Sequence, residues 1–276
     1  MTLPASGASV GALPPLTAYQ KRLFGFLGVA TFFEGYDFFA LTQVLPHLRK
    51  DFALDYGATG WLLGVVNFGT MLAYLLVGKA DRWGRRRVLT VTIFGYTLFT
   101  LLSGLAPNVW VFGAMQMTAR IFLIGEWATS MVIAAEEFPA ARRGTVIGVI
   151  SATGGLGSAI CALAVPPLTH AFGWRSVYFV AVVPLLLLAW ARRGLRETER
   201  FAASAKTAER RSVFAILRGP YLRRVLELGA IWFTTYVCTQ NVVSLWKDYA
   251  LGDLKLSEGA SGIVITVGAG VSMPLL

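Results

Sequence analysis

VATFFEGYDFFALTQVLP, residues 29–46, is an apolar segment interrupted by two carboxylates, Glu34 and Asp37. The apolar run around it covers about residues 22–45. That is enough for a helix to cross a bilayer, which takes about 20 residues. A charged side chain at the centre of such a helix costs roughly 2.5–3.5 kcal/mol on insertion scales. Acids placed there are therefore the first candidates for function. On a helix, positions three apart differ by about 300°, so Glu34 and Asp37 share a face.

Further runs of spanning length lie near residues 59–78, 88–106, 109–133, 144–168, 175–191 and 225–246. An eighth begins near residue 260 and reaches Leu276 without a polar anchor, as a chain stopped mid-architecture would. The composition agrees: 55% of the 276 residues are hydrophobic and 14% charged, against about 25% charged in soluble domains. The fold class expected is an all-α, multi-pass membrane protein embedded in the lipid bilayer. The Gly/Pro/Ala/Ser-rich residues 1–20 read as a flexible tail. They lack the basic region of a signal peptide.

The net charge is +10, which in a soluble protein would suggest a nucleic-acid partner. Here nineteen of the 25 Lys and Arg residues fall on one side of the predicted spans. They belong to the Lys21–Arg22 pair, the stretch 79–87, Arg142–Arg143 and the polar loop 192–224. The positive-inside rule makes that side cytoplasmic. No nucleic-acid partner is expected. The N-terminus and the long loop then share a side, which requires an even number of spans between them, and six fit. Arg49, Lys50, Arg175, Lys247 and Lys255 fall in the opposite loops. His47 and His170 read as loop residues, and Cys161 and Cys238 lie inside apolar runs. Neither pair has metal-ligand spacing, so no metal site is expected. No phosphate-cradling motif and no catalytic constellation is visible, so neither an ATP-driven transporter nor an enzyme is expected.

The fourth run carries Arg120 and a third acid, Glu126. Span one runs outward and span four inward, so Arg120 lies at nearly the depth of Asp37. Glu126 is about 9 Å further inward and points about 120° away. If spans one and four face each other, Arg120 can pair with Asp37 or Glu34. Protonating the acid would free Arg120 for an anionic substrate, which outlines a proton-coupled carboxylate symporter. A static ion pair that only locks the bundle is the competing reading. Span seven carries a polar patch that includes Tyr236, Gln240 and Asn241. Such groups face a cavity or a partner helix. Asn67 and Gln116 are similar candidates. Tyr36, Phe32 and Trp127 suit either an aromatic-acid pocket or packing. Gly154, Gly155 and Gly157 in span five permit close helix approach.

Two loop motifs carry a resemblance. Asp81, Arg82, Trp83, Gly84, Arg85, Arg86 and Arg87 join spans two and three. Glu136, Pro139, Arg143 and Gly144 follow span four. With six spans and a basic central loop, these resemble the loop signatures of the major facilitator superfamily. The lead-in Val77, Gly78, Lys79, Ala80 departs from the family's pattern. "GYD" at residues 35–37 and "GEW" at 125–127 resemble the aromatic-acid and metabolite proton symporters. "GWRSVYF" at 173–179 and "LRETERF" at 195–201 resemble segments of those groups and of sugar porters.

The resemblance implies the major facilitator fold: a complete N-terminal six-helix half (residues 21–191), a cytoplasmic central loop (192–224) and the start of a C-terminal half (225–276). It implies a secondary transporter in the cytoplasmic membrane, moving a small organic anion with protons by alternating access. The proton gradient is the energy source and no cofactor is needed. A sugar or polyol porter and a drug exporter are alternatives within the family. Span seven is expected to help line the substrate site. Asp81, Arg82, Gly84, Arg85 and Arg86, with Glu136, Pro139, Arg143 and Gly144, are expected to form a cytoplasmic latch, although charge retention alone would also explain the arginines. The family has twelve spans, so the missing half or a second copy is an expected partner. A non-transporting, membrane-embedded fragment is the alternative of another class, and the isolated chain is expected not to transport.

Overall fold

The computed structural model of the chain describes residues 15–77, 83–180, 183 and 222–272. Every regular element among them is helical: α1 (Ala18–Asp51), α2 (Tyr56–Val77), α3 (Arg85–Gly104), α4 (Val109–Glu137), α5 (Ala140–Phe172), the short α6 (Ser176–Phe179), α7 (Leu222–Gly252) and α8 (Glu258–Ser272). The first five are long and apolar enough to cross a membrane. In lipid every backbone polar group must be satisfied within the segment, and a helix does this. α7 has the length, but Thr234, Thr235, Gln240 and Asn241 dilute its apolar run. Most of the sixth predicted span and of the central loop lies outside the described residues.

The helices extend past the apolar runs at both ends, because local capping sets their limits. Thr17 and Gln20 form a reciprocal capping box that starts α1 three residues after Pro15. Asn108 caps α4 by accepting from the Val111 N–H at 3.0 Å. Gly84 and Gly173 take φ of 92° and 76° at the start of α3 and the end of α5, a region that favours glycine. His47 and His170, expected in loops, instead lie within α1, just before its final turn, and in the final turn of α5. Arg49 and Lys50 are also in the last turn of α1.

α1 packs on α5, α2 and α3 pack on α4, and α8 packs on α5. The α1–α5 seam is close because it is built from glycine. A Cβ on Gly157 would overlap the Phe32 carbonyl oxygen, and one on Gly35 would overlap that of Gly154. Ser158 Oγ donates to the Gly35 carbonyl at 2.9 Å, and Thr153 Oγ1 to that of Gly28 at 2.9 Å.

The buried apolar residues form two clusters. One, at the end where the basic residues gather, includes Leu27, Ala30, Ile93, Leu123 and Ile150. The other, at the far end, includes Phe39, Val44, Phe112, Trp174 and Tyr178. Far-end closure is reinforced by Asp51, which accepts from Trp174 Nε1 at 3.1 Å and Arg175 Nη1 at 2.9 Å.

Candidate functional site

Between the two apolar clusters lies a layer of buried charge. Glu34 and Asp37 are contributed by α1, and Arg120 and Glu126 by α4. All four are at most 9% exposed. The glycines of the α1–α5 seam hold α1 in place on one side. On the other, Gly69 of α2 brings that helix onto α4, where its Cβ position lies 2.5 Å from the Met117 carbonyl oxygen and 3.2 Å from Arg120 Cβ. Glu34 lies within electrostatic reach of Glu126, Arg120 and Asp37, in that order of influence. The four sequence candidates therefore share one electrostatic unit.

Their pairing departs from expectation. Arg120 makes no ion pair with Asp37 or Glu34. Its guanidinium lies over the Phe38 ring, 4.2 Å from the centroid, and Nη1 is buried with no hydrogen-bond partner. Stacking uses the face of the guanidinium and leaves its edge free, so the missing pair follows from how the packed helices are rotated, and the Phe38 ring offers its negative face to the cation. Asp37 accepts a long bond from Thr100 Oγ1, 3.5 Å. Glu126 accepts from Ser130 Oγ at 2.6 Å through Oε1, while Oε2 has no partner. An unpaired, buried donor and an unpaired, buried acceptor are thus held in one layer, and such groups are costly unless something binds them.

The lining candidates divide. Tyr36 is buried with its hydroxyl unpartnered, and Gln116 is buried one helical turn from Arg120. Asn67 on α2 is half-buried. Trp127 is 42% exposed and is not drawn into this layer, whereas Tyr236 of α7, though 44% exposed, is within electrostatic reach of Arg120, as Glu34 and Asp37 are. The side chains of Gln240 and Asn241 lie outside the described set. Sequence reading missed Thr100, Ser130 and Phe38. It also missed Tyr178, a buried residue with an unpartnered hydroxyl that feels the charges of Asp37 and Arg120. Hydroxyl and aromatic residues are common in apolar runs and gave no separate signal.

At the basic end, Arg85 Nη2 binds Glu136 Oε1 at 3.1 Å and ties the α2–α3 loop motif to the end of α4. Arg143 Nη2 donates to the Phe138 carbonyl at 3.5 Å. Pro139 is the residue before α5, Gly144 stands in open space, and Arg86 is exposed. Asp81 and Arg82 lie outside the described residues. At the far end, Arg49 Nη1 binds Asp248 Oδ2 at 2.5 Å, and His47 Nε2 lies 3.1 Å from Glu258 Oε1. These contacts join α1 to α7 and α8. Lys247, read from sequence as a loop residue, is instead fully buried in α7, because that helix continues through Gly252. Cys161 is buried and Cys238 exposed, and both are free thiols.

Comparison with known proteins gives a consistent picture. The sequence profile described as Major Facilitator Superfamily matches residues 27–276. The chain is 26% identical over 254 residues to the sialic acid transporter NanX of Escherichia coli, covering 90% of this chain and 60% of that protein. It is 28% identical over 159 residues to the gentisate transporter of Corynebacterium glutamicum, covering 56% of this chain and 36% of that protein. The crystal structure of a bacterial homologue of the human lysosomal transporter Spinster, inward-facing and unoccupied, superposes with a TM-score of 0.68 at 17% identity. The match covers 94% of this chain and 60% of that one. The chain thus spans about a third to three fifths of the length of these relatives.

Proposed function

The chain belongs to the Major Facilitator Superfamily, and from that premise we propose that it is the N-terminal half and leading part of the second half of a secondary transporter that carries a small organic anion with protons. The observation that carries the reading is Arg120: a buried guanidinium whose Nη1 has no partner, in a layer with three buried carboxylates. A neutral sugar could accept a hydrogen bond from that donor but would bring no opposite charge to it. A carboxylate substrate would take it. Relatives described as carrying sialic acid and gentisate support an organic anion.

In this reading the anion approaches Arg120 as Asp37, Glu34 or Glu126 takes up a proton, so that the layer keeps its charge balance. Proton uptake and anion binding are then one event. Alternating access is supported by how the seam closes. Its far end is held by Arg49–Asp248 and His47–Glu258, while residues 226–236 of α7 are exposed. A far end closed while the charge bias makes the basic end cytoplasmic is what alternating access asks of one of its two states. Arg85–Glu136, bonded in this same arrangement, holds the α2–α3 loop motif on the end of α4 within the first half. The membrane is then the cytoplasmic membrane with the N-terminus inside, and energy comes from the proton gradient with no cofactor.

The test is proton uptake on binding, read with a pH-indicator dye in weakly buffered detergent solution as gentisate is titrated into the purified chain. Uptake that follows anion binding, is lost in Asp37→Asn, and disappears with binding itself in Arg120→Met is the expected result. Binding that neither moves protons nor depends on Arg120 would overturn the reading.

A further inference from the structure

Tyr96 of α3 is fully buried, and its hydroxyl has no hydrogen-bond partner among the described residues. The hydroxyl of Thr97, beside it, donates to the Ile93 carbonyl at 2.7 Å. An unsatisfied buried hydroxyl is costly, and phenylalanine would fill the same space without that cost. A tyrosine at this place calls for a use of its O–H.

The packing of α3 shows what that O–H can reach. Thr92, Tyr96 and Thr100 are buried and stand one turn apart, so they share a face of the helix. The outer two fix what the face meets. Thr100 Oγ1 reaches Asp37 Oδ2 of α1 at 3.5 Å. Thr92 Cγ2 lies 3.1 Å from the Cβ position of Gly125, the residue before Glu126 on α4. Tyr96 therefore stands between the carboxylates of α1 and the carboxylate of α4. It is within electrostatic reach of Glu126, Asp37 and Glu34, in that order of influence. An aromatic side chain on a helix leans toward the N-terminus of that helix, which for α3 is the basic end and the side on which Glu126 lies.

The three carboxylates differ in access. Glu34 and Asp37 are 8% and 9% exposed, whereas Glu126 is 0% exposed. Glu126 Oε1 accepts from Ser130, and Oε2 has no partner. No hydrogen bond joins Glu126 to Glu34 or Asp37 among the described residues. A proton moving between Glu126 and the α1 acids needs a group to bridge them. A phenol can serve, because it both donates and accepts.

We propose that Tyr96 is the relay that passes a proton between the Asp37–Glu34 pair and Glu126. A protonated carboxyl of Asp37 or Glu34 gives its proton to Tyr96 Oη as the Tyr96 O–H gives its own to Glu126 Oε2. One O–H bond breaks on the α1 acid, one is exchanged on the phenol and one forms on Glu126, so the phenol is never ionised. In the arrangement described here the hydroxyl bonds neither side, and side-chain rotation makes the link. The assignment rests on the proton-coupled reading and supplies the path between its acids.

The test is an acid pH jump on the purified, ligand-free chain in detergent, followed by time-resolved infrared spectroscopy of the carboxyl C=O stretch. The Asp37 and Glu126 bands are assigned by their loss in Asp37→Asn and Glu126→Gln. In Tyr96→Phe the Glu126 band is expected to rise at least tenfold more slowly than in the native chain. The Asp37 band keeps its rate, and the melting temperature stays the same or rises. 3-Fluorotyrosine placed at position 96 retains the hydroxyl and is expected to retain the fast Glu126 band. A Glu126 band that keeps its rate in Tyr96→Phe marks a hydroxyl that only packs, and overturns the assignment. A Glu126 band that does not respond to the jump in the native chain overturns it as well. Gentisate added to the same samples separates the relay from the anion reading. If gentisate shifts neither band while Tyr96→Phe still lags, the relay stands and the anion reading falls. If gentisate shifts the bands and Tyr96→Phe does not lag, the anion reading stands and the relay falls.

Discussion

At the residue scale, the short and long bonds to the buried acids predict unequal consequences. Ser130 Oγ lies 2.6 Å from Glu126 Oε1, whereas Thr100 Oγ1 is 3.5 Å from Asp37 Oδ2, at the limit of a hydrogen bond. Ser130→Ala strands a fully buried carboxylate that already has one unpartnered oxygen, and is expected to cost about 1–3 kcal/mol. Thr100→Val should cost less than about 1 kcal/mol. Denaturant unfolding of the two purified variants orders them, and equal losses would show that Glu126 finds a replacement donor. Phe38 makes a second comparison. Phe38→Leu keeps apolar bulk and removes the π face under Arg120, so a loss of about 0.5–2 kcal/mol is expected. The sequence placed Arg120 near the depth of Asp37 and Glu126 about 9 Å further inward, because depth follows from position along an apolar run. It did not show that Arg120 stacks on Phe38 instead of pairing with an acid. That depends on helix azimuth, which packing sets through contacts such as Gly69 on Met117.

At the element scale, the glycines of α5 are not equivalent. Gly157→Ala drives a methyl group into the Phe32 carbonyl oxygen. Backbone cannot swing aside as a side chain does, so α1 and α5 must separate, at an expected cost of about 1–3 kcal/mol. Gly148 lies in the same helix, and a Cβ there meets nothing within 4 Å. Gly148→Ala is expected to stabilise by about 0.5–1 kcal/mol, through the lower entropy of the unfolded chain. A thermal melt in which both variants fall would mean that Gly148 carries a contact of its own. Five of the predicted spans were legible because an apolar run in lipid must be helical. Helix ends were not, because caps such as Thr17–Gln20 operate outside the apolar run. The same cause hid Lys247: counting it as a loop cation assumed that α7 stopped where its hydrophobicity did.

At the scale of the whole molecule, the far-end contacts join the first helix to the last two described helices. Arg49 and Asp248 are brought together across 199 residues of chain, with side chains 20% and 11% exposed. Partial burial spares the pair from the full solvent screening that makes exposed ion pairs nearly worthless. Arg49→Asp and Asp248→Arg each place like charges face to face, and each should loosen the seam between α1 and α7. The double exchange restores opposite charges at the same place. A double-mutant cycle on the melting free energy is expected to give a coupling of about 0.5–3 kcal/mol, with both single variants below the native chain and the exchange recovering most of the loss. The same cycle read by thiol labelling reports on the opening itself. Cys161 is buried beneath this end, so the single exchanges should speed its modification severalfold and the double exchange should slow it again. Exposed Cys238 supplies the internal rate standard. If the cycle shows coupling in stability but Cys161 labels at one rate throughout, the pair fastens the helices without controlling access. If both readouts follow the charge pattern, Arg49–Asp248 is the gate on the far side of the charged layer.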